Sequence, residues 1–152
     1  MLKQKMLVRS VPSLVMLLAS SVVCGHAAAA TATVNALLQD LTTGSGITSD
    51  RIVLDRRSVP AGKVTFHAVN QSKDLVHELL VVQSRPGQAL PYDEKKAEVV
   101  ESRAHVLGEV GDLQPGASGT VTLELKPGSY ILICNQPGHY RAGMQTKFSV
   151  TR

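Results

Sequence analysis

Residues 120–134 read TVTLELKPGSYILIC, two apolar runs separated by a Lys-Pro-Gly turn. In the first run Val121, Leu123 and Leu125 alternate with Thr120, Thr122 and Glu124. A period of two sets one face of a β-strand on a core and the other in solvent. The second run, Tyr130 to Cys134, is apolar at both parities, which predicts a central strand covered on both faces. Working outward, Phe148 and Val150 alternate with Lys147, Ser149 and Thr151, and further strands are expected near 33–40, 51–57, 62–70, 76–84 and 128–135. Pro-Gly turns at Pro115-Gly116, Pro127-Gly128 and Pro137-Gly138 recur at the rhythm of short antiparallel strands. One stretch breaks the pattern: Asp93 to Ser102 (DEKKAEVVES) lacks Gly and Pro and is rich in helix formers. The pattern predicts an all-β domain, a two-sheet Greek-key β-sandwich, with a short helical excursion around 93–102.

The chain has 152 residues, a length suited to one domain and too short for a (β/α)₈ barrel. Its 16 Lys+Arg against 12 Asp+Glu invite a nucleic-acid reading, but Lys3, Lys5 and Arg9 fall in a stretch without acids. Without those three, 13 bases face 12 acids, and a net charge of +1 lacks the basic footprint of phosphate binding. The same stretch has the layout of a secretory signal: a basic start, an apolar run from Val11 to Val23, then small residues from Ala27 to Ala30. An apolar run of 13 residues is shorter than the ~20 a spanning helix needs. The expectation is a signal peptide over 1–30, cleaved between Ala27 and Ala32, and an exported domain over 31–152, periplasmic or secreted, without stable membrane insertion after cleavage.

Cleavage would remove Cys24 and leave Cys134 alone in an oxidising compartment, where cysteines usually pair. Its neighbours give it a use. The segment from Cys134 reads CNQPGHYRAGM, that is C-x₄-H-x₄-M through His139 to Met144, and His77 lies upstream in Val76-His77-Glu78-Leu79-Leu80. Two imidazoles, a thiolate and a thioether are the donor set of a mononuclear blue-copper site, a His₂Cys plane with a long axial Met. Strand parity supports the grouping. Cys134 shares a side with Leu132 and Tyr130, Met144 with Phe148 and Val150, and His77 with Leu79 and Val81. Taken singly, a strand His is more often a non-ligand, and a lone Met is usually core packing. His67, on the parity opposite Phe66, and His105, with no ligand-like neighbours, are expected to play no part.

At these residues the chain resembles the cupredoxins, small exported plastocyanin- and azurin-like blue copper proteins. Its ligand loop is similar to the rusticyanin and sulfocyanin type. The resemblance spans most of 33–152, including the segment Val59-Pro-Ala-Gly-Lys-Val-Thr-Phe before the first His. It implies His77, Cys134, His139 and Met144 as ligands of one copper, and a monomer passing single electrons between redox proteins such as a cytochrome or a copper oxidoreductase. In plastocyanin- and azurin-like members an Asn often follows the first His and braces the ligand loop; here Glu78 stands there. Arg141 is expected to bias the docking surface toward acidic partners. An alternative use of the same ligands is copper storage, delivery or resistance without a redox partner. An enzyme is disfavoured, because multicopper oxidases and copper nitrite reductases need further histidines and more than one domain. Structural zinc is disfavoured because a thioether is a poor zinc ligand.

Overall fold

The structure, a computed structural model, describes residues 30–43, 46–85 and 87–152, for 30, 41–43 and 46–49 the backbone alone. Most of the expected signal peptide therefore lies outside the described residues.

Among the described residues eleven strands follow in order: β1 Ala30–Thr43, β2 Gly46–Leu54, β3 Ser58–Pro60, β4 Gly62–Asn70, β5 His77–Gln83, β6 Tyr92–Asp93, β7 Glu98–Val99, β8 Val106–Leu113, β9 Ser118–Leu125, β10 Gly128–Ile133 and β11 Gln145–Thr151. One sheet has the order β2-β1-β4-β9, the other β3-β11-β10-β5-β8, and β6 and β7 form a separate hairpin. The two large sheets face each other over a core in which alternate residues point inward: Val34, Ala36 and Leu38 from β1, Val64, Phe66 and Ala68 from β4, Leu79 and Val81 from β5, Tyr130 and Leu132 from β10, Phe148 and Val150 from β11. Phe66 and Phe148 meet across the gap edge to face, with centroids 5.3 Å apart. Such a pair adds about 0.5–1.5 kcal/mol beyond its area.

The YILIC run is central, between β11 and β5, and covered on both faces as its sequence predicts. Tyr130, Leu132 and Cys134 look into the main core. Ile133 and Ile131 look outward into a second cluster with Leu80, Val82, Val99, Tyr92 and Tyr140. That cluster is the underside of the excursion, so the stretch over 90–106 is a cover for the outer face of the second sheet. Its helical part is the 3₁₀ turn Glu101–Arg103 alone. The rest is the β6–β7 hairpin, in spite of the helix formers. Asp93 Oδ1 accepts the N–H groups of Lys95 and Lys96 at 2.9 and 3.2 Å, which winds the chain into a turn, and Ala97 takes φ 58°. Local side-chain acceptors of this kind compete with helix hydrogen bonds.

Strand β8 has no counterpart among the expected strands. Gly108 and Gly111 interrupt its alternation, and the reason for Gly108 is packing: a Cβ there would stand 2.8 Å from Leu123 Cδ2 on β9. β8 and β9 come together where the two sheets meet, so a residue that reads as a turn signal serves close approach instead.

Candidate metal centre

Four elements deliver the four candidate residues to one pole of the sandwich. His77 opens β5, its side chain fully buried and on the same side as Leu79 and Val81. Ahead of it, the buried Asn70 fixes the approach: Nδ2 donates to the carbonyls of Leu75 and Leu113, each at 2.8 Å, and Oδ1 accepts Ser72 N–H at 2.9 Å. Cys134 stands one residue past β10, and Met144 one residue before β11. The Cys134 N–H donates to the Met144 carbonyl at 3.0 Å, extending the β10–β11 ladder by one step. Both side chains are fully buried on the core side.

Between them the loop winds tightly. Gly138, at φ 86°, donates its N–H to Ala97 O at 2.8 Å, and Met144 N–H returns to His139 O at 3.0 Å. A non-glycine residue is disfavoured at that φ. The winding brings His139 back over the strand ends, its ring half-buried while the other three side chains are buried. His139 is thus the member of the group nearest solvent, as its loop position predicts.

The donor atoms converge. His77 Nδ1 and His139 Nδ1 lie 3.2 Å apart, and Cys134 Sγ lies 3.8 and 3.5 Å from them. Among the described residues, His77, Cys134 and His139 are the group of three such side chains whose donor atoms all fall within 4.8 Å. The triangle fits a first-row ion. Metal–nitrogen bonds of about 2.0 Å and metal–sulfur bonds of about 2.3 Å, at angles of roughly 100–120°, span nitrogen pairs of about 3.1–3.5 Å and sulfur–nitrogen pairs of about 3.3–3.8 Å. Met144 is buried in the same core cluster as Cys134.

Burial sets the protonation of both buried candidate donors. Burial pushes the Cys134 thiol up to about 11, against the backbone N–H groups that oppose it. Burial, with the neighbouring His139, lowers the pKa of His77. Both groups are held neutral, ready to give a lone pair once the thiol loses its proton.

Three residues around the group have no part in the four-residue motif. Glu78, in the place where an Asn is common, takes over a bracing contact: its Oε1 accepts the Asn135 N–H at 3.0 Å. Asn135 is buried and bound in turn to Val99 and Glu101 on the excursion. Asp40 approaches the far side of His77, its Oδ1 3.7 Å from Nε2. Asp40 was findable, because it shares the inward parity of Ala36 and Leu38; an acid there is a signal. His67 sits on the outer face near Asn35, and His105 is exposed, each away from the group. Arg141 does not present a free charge: it pairs with Glu94 and stacks over the Tyr92 ring at 4.3 Å. Its guanidinium therefore lies beside an opposite charge on an exposed part of the surface.

Neither a protein-family model nor a curated protein sequence matches the chain. Solved structures do. Reduced auracyanin from Roseiflexus castenholzii superposes with a TM-score of 0.54 at 23% identity, over 82% of this chain and 100% of that one. Auracyanin B gives 0.54 at 23% over 84% and 94%. Rusticyanin from Thiobacillus ferrooxidans gives 0.53 at 20% over 78% and 77%. At these identities the likeness is one of fold, and it defines the class: the chain has the cupredoxin fold, with a His-Cys-His-Met cluster at one end of the sandwich.

Proposed function

We propose that this is an exported type 1 copper protein that carries single electrons between redox partners. The observation that carries the reading is the triangle of His77 Nδ1, His139 Nδ1 and Cys134 Sγ, closed in the fold at metal-binding separations. His77, Cys134, His139 and Met144 would hold one copper ion. Soft sulfur selects copper over harder cations, and imidazole suits both of its oxidation states. Once bound, the ion would supply the one-electron change between Cu(II) and Cu(I).

The chain's own residues do the rest. The strand ends hold the Cys134 and Met144 backbones together by a ladder hydrogen bond, and Asn70, Glu78 and Asn135 brace the segments on either side. Rigid donors limit the rearrangement that accompanies a change of oxidation state, which favours electron exchange. The half-buried His139 ring is the exit for the electron, framed by the small exposed residues Pro137, Ala142 and Gly143. A small, low-charge rim suits brief docking of a redox protein such as a cytochrome or a copper oxidoreductase.

Export rests on the leader layout of residues 1–30. No helix among the described residues is long and apolar enough to cross a membrane.

The test is the visible spectrum of the Cu(II)-loaded protein. An intense thiolate-to-copper band, lost in Cys134→Ser, is the expected result; a colourless protein at full copper occupancy overturns the reading. Rapid exchange of electrons with a soluble cytochrome then separates a carrier from a storage or delivery protein.

A further inference from the structure

The two nitrogens of His77 face different chemistry. Nδ1 looks into the donor triangle, whereas Nε2 looks at the carboxylate of Asp40, 3.7 Å away. Both side chains are nearly or fully closed to solvent, at 0% for His77 and 10% for Asp40. Among the described residues neither His77 Nε2 nor Asp40 Oδ1 has a hydrogen-bond partner. An orphaned buried polar atom costs about 1–3 kcal/mol, and here two such atoms are opposed, one able to carry a proton and one able only to accept it. A separation of 3.7 Å is longer than a formed hydrogen bond. Drawing electron density from Nδ1 polarises the opposite N–H, so occupation of the metal site strengthens this pairing. Asp50, the cross-strand partner of Asp40, is 3% exposed and also has an unpartnered Oδ1. Two buried acids therefore stand behind a buried imidazole, at inward positions that a sandwich core would otherwise give to apolar side chains.

We propose that Asp40 is a positioning residue for His77: its carboxylate holds the ring as the Nε2–H tautomer, aims the Nδ1 lone pair into the donor triangle, and through its charge favours the more highly charged oxidation state of the metal. The proposal rests on the copper reading for its effect on potential. The tautomer it requires exists without metal and is tested independently. A neutral imidazole carries its proton on one nitrogen, and the partner of that nitrogen decides which. Carboxylate partners of ligating histidines fix ring orientation and raise ligand basicity, and their loss changes metal affinity about 10–100-fold.

The experiment measures the ring ¹⁵N shifts of His77 in the metal-free protein and the reduction potential of the copper-loaded protein, for wild type, Asp40→Ala, Asp40→Asn and Asp50→Asn. In wild type the metal-free His77 should be the Nε2–H tautomer. Asp40→Ala should lose that preference and bind Cu(II) about tenfold less well relative to Cu(I), a rise of about 59 mV for one electron. Asp40→Asn keeps an acceptor oxygen and drops the charge, so it should retain the tautomer and still raise the potential; it also covers the case in which the Ala variant fails to fold. Asp50→Asn removes an equal charge without the Nε2 contact and should keep the tautomer. An unchanged tautomer in Asp40→Ala, or potentials at the wild-type value in both Asp40 variants with the thiolate band intact, overturns the proposal. A wild-type protein that binds copper without that band overturns the copper reading instead, and leaves the tautomer result to decide the role of Asp40.

Discussion

The carboxamide of Asn135 closes a two-point clamp on the backbone of Val99, Oδ1 accepting the Val99 N–H at 2.6 Å and Nδ2 donating to the Val99 carbonyl at 3.1 Å. The side chain behaves as one more strand residue beside β7, and it belongs to the residue that follows Cys134. The cover over the second sheet and the candidate ligand loop are therefore one mechanical unit, with Nδ2 also bonded to Glu101 Oε1 at 2.8 Å.

Asn135→Ala should loosen that unit. Buried backbone groups of Val99 would lose their partners, at a cost on the order of 2–3 kcal/mol, with the copper spectrum perturbed as the loop relaxes. Denaturant unfolding of the metal-free protein reads the first effect. A change below about 0.5 kcal/mol, the scale of ordinary surface substitutions, would show the clamp to be dispensable.

Copper uptake should release a proton. Cys134 is pushed up to about 11 by burial, so the metal-free thiol is protonated at neutral pH and must ionise on binding. Between pH 7 and 9 a pH-stat titration should record about one proton per copper, and the apparent affinity should rise roughly tenfold per pH unit. Uptake without proton release would mean that the thiolate already exists in the metal-free fold.

Glu78 should make the metal-free fold less stable as pH rises. Burial first, then Glu101 and Asp112, raise its pKa from 4.5 to about 7. A group whose folded-state pKa is raised contributes stability that is complete below about pH 4.5 and is lost as pH climbs through about 7. The neutral isostere Glu78→Gln should flatten the stability profile over that window. A wild-type profile that rises between pH 5 and 7, with no difference in the Gln variant, would contradict this.

Met144 should tune the site without holding it together. A neutral, distant thioether favours Cu(I), whereas an amide oxygen favours Cu(II). Met144→Gln should keep copper and colour but lower the potential, while His77→Ala should damage binding itself. Met144→Leu conserves volume and serves as the control for simple core filling. Voltammetry that finds the wild-type potential in both Met144 variants would remove the residue from the ligand set.

Export should leave a chain that begins between Ala27 and Ala32, read from the intact mass of protein recovered outside the cytoplasm. A mass that retains Met1 to Val23 would count against a cleaved signal, and lipid on Cys24 would indicate anchoring.

Alternation marks the strand with one face on the core, 62–70, which coincides with β4, whereas 76–84, nearly β5, and the run around Tyr130, β10, are covered on both faces. Alternation fails where the burial is unusual. β8 packs against β9 through a glycine, and the hairpin β6–β7 is held by Asp93 and Asn135 against the preference of its own residues.

The sequence by itself determined the candidate donor set, the order in which the chain presents it, and the parity of His77, Cys134 and Met144 relative to their strands. Those follow from local spacing and from the fixed period of a β-strand, which no distant contact can alter. Only the tertiary structure decided what supports the donors. Glu78 meets Asn135 across 57 residues and Asn135 meets Val99 across 36, and Asp40 reaches His77 from the opposite sheet. Pairings of that kind depend on which strands become neighbours and how they are registered, and that choice is made by the packing of the whole core.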